Sequence, residues 1–252
     1  MERGLVFDRI AADYDRVRPG YPATLIDSAL AGGSIRRVLE VGCGTGQLIE
    51  ALVARGLEVV AIEPGATLPA LAQRRAPGAE IHVGRFEDSG LPAESFDRVV
   101  GWAEAARLLR PGGALALLTH VYGADEESRP AQEALRDVYA APWSVRDQSE
   151  VTAGALARRP NVSEVLEWLE GGGLVRPEAG ELFGEATITW EPHEADLDAS
   201  ELLDLQRTTA THLTLDPERV EEVERGIVAL VERLGGRFPL RQLAVLALAQ
   251  RR

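Results

Sequence analysis

The stretch RVLEVGCGTGQL, residues 37–48, decides how this chain is read. Arg37 to Val41 is a short apolar run rich in β-branched residues, as in a buried strand, and three glycines at alternate positions, Gly42, Gly44 and Gly46, turn it sharply. Leu48, Ile49, Leu52 and Val53 then recur at helical spacing, with Gly56 where a helix C-cap belongs. Glu58 to Ile62 supplies a second apolar strand. Strand, turn, helix and strand over this length make the unit of a right-handed parallel crossover.

Outward from that unit the alternation continues. A helix is expected over Leu68 to Arg75, a third strand over Glu80 to Val83, a fourth over Phe96 to Val100, a helix over Trp102 to Arg110 and a fifth strand over Ala114 to Thr119. The expected fold is therefore α/β, a doubly wound and mostly parallel sheet of the Rossmann-like kind. Beyond His120 the alternation stops. Helices at Ala131 to Tyr139 and Val162 to Glu170 suggest a helical cap or insertion over 124–180. A strand at Glu185 to Trp190, helices at Ala199 to Leu213 and Pro217 to Leu234, and a last strand at Gln242 to Ala249 complete the sheet over 181–252. Asp216 is the N-cap of the longest helix, Pro217 its first residue and Gly235 its stop. We read one domain, 1–252, with an N-terminal helical lid over 1–34 and a nucleotide-binding core over 35–123.

Composition narrows the function. The net charge of −13 repels phosphate backbones and no arginine cluster is interleaved with aromatics, so no nucleic-acid partner is expected. All 27 basic residues are Arg, which excludes a lysine Schiff base, a pyridoxal phosphate anchor and a Walker lysine. One cysteine and four scattered histidines give neither an internal disulfide nor zinc-ligand spacing, and no metal is expected. No run approaches 18 apolar residues and the opening MERGLVFDRIAADYD is charged, so a cytoplasmic protein without a membrane partner is expected.

The chemistry-bearing constellation is Glu40-x-Gly42-x-Gly44-x-Gly46 with Glu63, 17 residues past Gly46, at the end of the second strand. Glycine lets the backbone bend and lie against a ligand where a Cβ would collide. A carboxylate at Glu63 suits the two hydroxyls of an adenosine ribose. A dinucleotide turn has the spacing G-x-G-x-x-G, which puts its third glycine at position 47, and here that residue is Gln47. An acid at position 40 repels a pyrophosphate but attracts the ammonium of an amino-acid tail.

With LEVGCGTGQL in place, the chain resembles the class I S-adenosylmethionine-dependent methyltransferases, in their small-molecule branch. FDRIAADYDRVRPGYP resembles the family's N-terminal helix and turn, IHVGRFEDSGLPAESFDRVV its third strand, adenine loop and fourth strand, and LLRPGGALAL its entry to the fifth strand. The resemblance implies S-adenosylmethionine as cofactor and a small-molecule methyl acceptor. It places Glu40 and the turn Gly42, Cys43, Gly44 and Gly46 at the methionine moiety, Glu63 and Pro64 at the ribose, and Phe86 with Glu87 at the adenine. Arg85 stands where the family often has Asp, and Glu87 is the replacement. Tyr14 would lie over the cofactor and Arg18 pair with its carboxylate.

Cys43 reads as a small buried residue rather than a nucleophile. His120, at the crevice end of the fifth strand, is a candidate general base, while His193 and His212 read as packing or capping residues. Between Val100 and Ala114 only 13 residues remain for a whole crossover, where the family has a longer loop bordering the acceptor. Either that loop is deleted or the natural chain carries further residues there; the second is the expectation, and an intact mass above 27.2 kDa would show it. Two other readings stay open: a cofactor-binding or regulatory protein with this fold, and a nicotinamide-dependent oxidoreductase.

Overall fold

The computed structural model describes residues 3–101, 103–140 and 179–252. The helix expected over Val162 to Glu170 lies outside the described residues. The strands are β1 (Arg37–Val41), β2 (Glu58–Glu63), β3 (Glu80–Val83), β4 (Phe96–Val100), β5 (Leu109–Tyr122), β6 (Phe183–Leu197) and β7 (Phe238–Arg251). They form one seven-stranded sheet in the order β3-β2-β1-β4-β5-β7-β6. The first five are parallel; β7 runs antiparallel to both β5 and β6. The order reverses direction between β1 and β4, which opens a crevice at their carboxyl ends.

Burial on both faces explains why the central strands read as continuous apolar runs. Leu39, Val60 and Val99 pack on one face with Phe96 and Leu115. Val38, Val59 and Val100 pack on the other, with α2 (Ala23–Ala29) and α3 (Gln47–Val53). α1 (Ala11–Val17) precedes this pair, and α4 (Thr67–Arg75) follows β2.

A third cluster lies under the carboxyl-terminal helices. α5 (Arg129–Tyr139), the first part of the expected cap, buries Ala131, Leu135 and Tyr139 against Leu202 of α7 (Ala199–Arg207) and Val223, Ile227 and Leu230 of α9 (Pro217–Arg233). It thus belongs to a core of its own. The short helices α6 (Ala179–Leu182) and α8 (Ala210–Leu213) complete the set among the described residues. Among the described residues no helix is long and apolar enough to cross a membrane.

Three expectations change in detail. Among the described residues the connection after β4 holds no α-helix: Ala103–Leu108 is a 3-10 helix and β5 begins at Leu109. Eight residues, 101–108, are too few for a helical crossover, and the sheet absorbs the rest. Phe96 faces Leu109 and Arg98 faces Ala114, so two steps along β4 match five along β5, with Pro111-Gly112-Gly113 in the bulge. The helix expected over Ala199 to Leu213 breaks at Thr208-Thr209, where the Thr209 hydroxyl accepts from the His212 amide and caps α8. β5, β6 and β7 all outrun their expected lengths, and His120 lies within β5.

That extra length shapes the crevice. Val100, the last residue of β4, pairs with Ala116, so Leu117–Tyr122 project past the ends of β1 and β4 as a wall shared with β7 and β6.

Candidate functional site

The crevice floor is the turn after β1. The Gly42 N–H donates to the Ile62 carbonyl at 2.8 Å, closing β1 onto β2. Gly42, Gly44 and Gly46 have φ of 80°, 55° and 83°, values that side chains disfavour. Their surroundings differ. A Cβ on Gly46 would lie 2.7 Å from both the Cα and the Cβ of Ala72, so this glycine allows α3 and α4 to touch. A Cβ on Gly42 would meet nothing within 4 Å, and one on Gly44 would reach only the Tyr14 ring, at 4.0 Å. Gly46 is occupied with packing; Gly42 faces open space.

Two carboxylates flank the turn. Glu63 is 5% exposed, and one of its oxygens accepts the Gly44 N–H at 3.0 Å. Burial raises its pKa, and amides of Gly44 and Gly65 oppose that shift. Glu40 is 7% exposed, and its Oε2 has no hydrogen-bond partner among the described residues. Burial, with the Glu63 charge nearby, pushes the Glu40 carboxyl up to about 8. A buried acid left unpaired in this way calls for a cation. Cys43 is buried between them, and burial with the two carboxylates pushes its thiol up, which keeps it protonated.

The N-terminal segment lies across the turn. Asp8, in the 3-10 helix Arg3–Ile10, accepts from the amides of Thr67 (2.7 Å) and Leu68 (3.0 Å) and from the Thr67 hydroxyl (2.9 Å), capping α4 from a distance in sequence. Asp15 pairs with Arg75 at 2.7 Å, and the Gln47 amide donates to the Arg18 carbonyl at 3.2 Å. Tyr14 packs edge-on to Phe7, with the Arg18 guanidinium 5.3 Å from the centre of its ring. Arg18 donates through Nε to the Thr208 hydroxyl (3.0 Å) and through Nη2 to the Thr208 carbonyl (2.7 Å). The guanidinium expected to serve a ligand carboxylate is thus bonded to the loop after α7.

At the far side of β2, Pro64 is exposed at the crevice rim. Phe86 opens a 3-10 turn and packs its ring partly against the core, while Glu87 is exposed and pairs loosely with Arg85 at 3.7 Å. The structure therefore brings Tyr14, Glu40, Gly42, Gly44 and Glu63 around one crevice, with Arg18 held at its edge and Glu87 at the surface. Of the other histidines, His212 is buried and shares a 2.9 Å hydrogen bond with the Tyr139 hydroxyl, whereas His193 meets His120 edge to face. Asp8, Gln47 and Thr208 carry no local sequence signal, because each bonds a partner remote along the chain.

Residues 38–122 match the family model for a methyltransferase domain. An uncharacterized methyltransferase of Mycobacterium tuberculosis is 36% identical over 129 residues, 46% of this chain and 53% of the relative. The chain thus spans about half the length of that relative. An uncharacterized methyltransferase of Geobacillus kaustophilus is 30% identical over 156 residues, 52% of this chain and 73% of the relative. The chain belongs to the class I S-adenosylmethionine-dependent methyltransferases. The family fold extends over nearly the whole chain: a protein of Anaeromyxobacter dehalogenans, solved as a candidate type II methyltransferase, superimposes with a TM-score of 0.57 at 23% identity, covering 92% of this chain and 97% of its own. Family membership accounts for the switch point between β1 and β4 and for the glycine turn that floors it.

Proposed function

We propose that this protein binds S-adenosylmethionine in the β1–β4 crevice and transfers its methyl group to a small-molecule acceptor. The single observation that carries this reading is Glu40, a buried carboxylate with an unpaired oxygen beside a turn on which a Cβ would find open space. An ammonium placed there satisfies the orphaned oxygen and favours its ionised form. Glu63 has acceptor capacity beyond the Gly44 amide and takes the ribose hydroxyls, with Pro64 at the rim. Phe86 offers its ring to the adenine, and Tyr14 closes over the turn.

When bound, the cofactor supplies an electrophilic sulfonium methyl. The chain's task is then to hold the acceptor in line with that methyl and to keep water out, which calls for few reactive side chains. The acceptor is a metabolite rather than nucleic acid in this reading, supported by the net charge of −13. A cytoplasmic setting accords with the single reduced cysteine.

Calorimetry with S-adenosylmethionine, S-adenosylhomocysteine and NAD tests the reading. The two sulfur compounds should bind and NAD should not; preference for NAD would replace it with the oxidoreductase. Binding of both sulfur compounds without methyl transfer to any component of a metabolite extract would favour a non-catalytic role.

A further inference from the structure

The projecting wall carries a second polar group that the cofactor reading leaves unused. Successive residues of one face of β5, Leu118, His120 and Tyr122, pair with Leu246, Ala244 and Gln242 of β7, which in turn pair with Thr189, Glu191 and His193 of β6. Cross-strand partners share a face, so His120, Tyr122, Gln242 and His193 form one patch. His120 Nε2 is buried without a hydrogen-bond partner among the described residues, and the Tyr122 hydroxyl and Gln242 Oε1 are buried side by side, the Gln242 side chain close enough to lower the Tyr122 pKa yet with no well-formed bond between the two. Gln242 is 1% exposed. Three such atoms in adjacent positions are unusual in an interior, where buried polar groups are paired.

The patch is held in place and joined to the crevice. Tyr21 stacks on the His120 ring at 5.0 Å and 14°, and its hydroxyl donates to the Leu118 carbonyl at 2.9 Å. The stack fixes the imidazole plane and leaves its edge to carry the chemistry. Burial raises the pKa of the Tyr21 hydroxyl, which is also close enough to Tyr14, Glu40 and Arg18 to feel them, and burial raises that of Tyr122, against which Arg18 and the Gln242 side chain act. Tyr21 therefore bridges the glycine turn and the wall.

We propose that this wall recognises the methyl acceptor, an uncharged molecule presenting a hydroxyl, whose hydrogen is accepted by His120 Nε2 while Tyr122 and Gln242 hold a neighbouring polar group. The proposal rests on the cofactor reading above. The charge balance selects the class. Burial, helped by His193 and Arg18, lowers His120 to about 4, so at neutral pH it is an uncharged acceptor and attracts no carboxylate. Glu191 lies in the same face, and Arg18 spends Nε and Nη2 on Thr208. In the transfer, an oxygen lone pair forms the new O–CH3 bond as the C–S bond breaks and its electron pair stays on sulfur. The proton of the resulting oxonium passes to His120 Nε2 and then to solvent. A protonated ether is so strong an acid that a weak base suffices.

Phenol and benzoate, titrated into the protein saturated with S-adenosylhomocysteine and followed by the His120 imidazole NMR signals, test this. Phenol should move those signals, benzoate should bind at least about tenfold more weakly, and His120→Leu should weaken phenol by about tenfold, the loss of one hydrogen bond to a buried group. Tyr122→Phe should weaken phenol less, and neither variant should change S-adenosylhomocysteine affinity by more than about twofold. Equal binding of benzoate, unmoved His120 signals, or phenol binding indifferent to His120→Leu would overturn the proposal. Failure of the wild type to bind S-adenosylhomocysteine would instead sink the cofactor reading.

Discussion

The two halves of the crevice are built in opposite ways. On the β1–β2 side, the turn and both carboxylates come from residues 40–63 and are held by two hydrogen bonds from the turn's amides, Gly42 N–H to the Ile62 carbonyl and Gly44 N–H to the Glu63 carboxylate. On the β5–β7–β6 side, the polar groups come from His120, Tyr122, His193 and Gln242, aligned by antiparallel register, and from Tyr21, which stacks on His120 and lies more than 200 residues from Gln242 in the chain. A site made by one continuous turn is fixed by backbone conformation, whereas a site made by cross-strand pairing is fixed by register. The first tolerates almost no substitution of its glycines; the second can change side chains without changing the fold.

That contrast can be broken at several points. The largest effect is expected at Gly46→Ala, which combines a positive φ with a 2.7 Å approach to Ala72. We expect a loss of about 2–5 kcal/mol of stability in urea titration. Gly42→Ala shares the φ but not the collision and should lose only about 1–2 kcal/mol while abolishing cofactor binding. Equal losses at the two positions would erase the distinction between a packing glycine and a ligand glycine.

Glu63→Ala should weaken S-adenosylhomocysteine by about 1–3 kcal/mol in calorimetry, and unchanged affinity would remove the ribose assignment.

Glu40 sharpens the comparison through pH. Its carboxyl sits at about 8 in the folded protein against an ordinary 4.5, so the fold retains a proton there between those values. A bound ammonium requires the carboxylate, so binding releases a proton, and affinity should rise from pH 6 to 7.5. Glu40→Gln should flatten that rise. The linkage to stability has the opposite sense. Stability is fully present below about 4.5 and is lost as pH rises through 8, so Glu40→Gln should raise Tm at pH 8 and leave it unchanged at pH 4. A lower Tm at pH 8 would mean that Glu40 is already paired.

The smallest effect is expected at Tyr122→Phe, which removes a hydroxyl that makes no well-formed hydrogen bond among the described residues. Its thermal stability should stay within about 0.5 kcal/mol of the wild type.

The same division explains what could be read from the amino acids. Leu39 and Val60 are buried on parallel strands, and their apolar runs gave away the sheet; Gly42 to Gly46 and Glu63 lie close enough in the chain to be recognised as a unit. The 3-10 helix after β4 was misread as an α-helix, because AEAARLL has helical composition and only the eight-residue span forbids it. The lengths of β5, β6 and β7 were underestimated because their ends are stabilised by one another rather than by local propensity. The resemblance places Arg18 at a ligand carboxylate, and nothing local in the sequence shows that Thr208, 190 residues away, holds its Nε and Nη2.

The strap across the glycine turn has a kinetic implication. Asp8 on α4, Asp15 on Arg75 and Gln47 on the Arg18 carbonyl fasten it to both helices that bound the turn. The Tyr14 ring stands beside Gly44, so under the proposed function a nucleoside entering over that turn would displace the strap, and Asp8→Ala is expected to speed association and dissociation of S-adenosylhomocysteine together in stopped-flow binding while its affinity moves little.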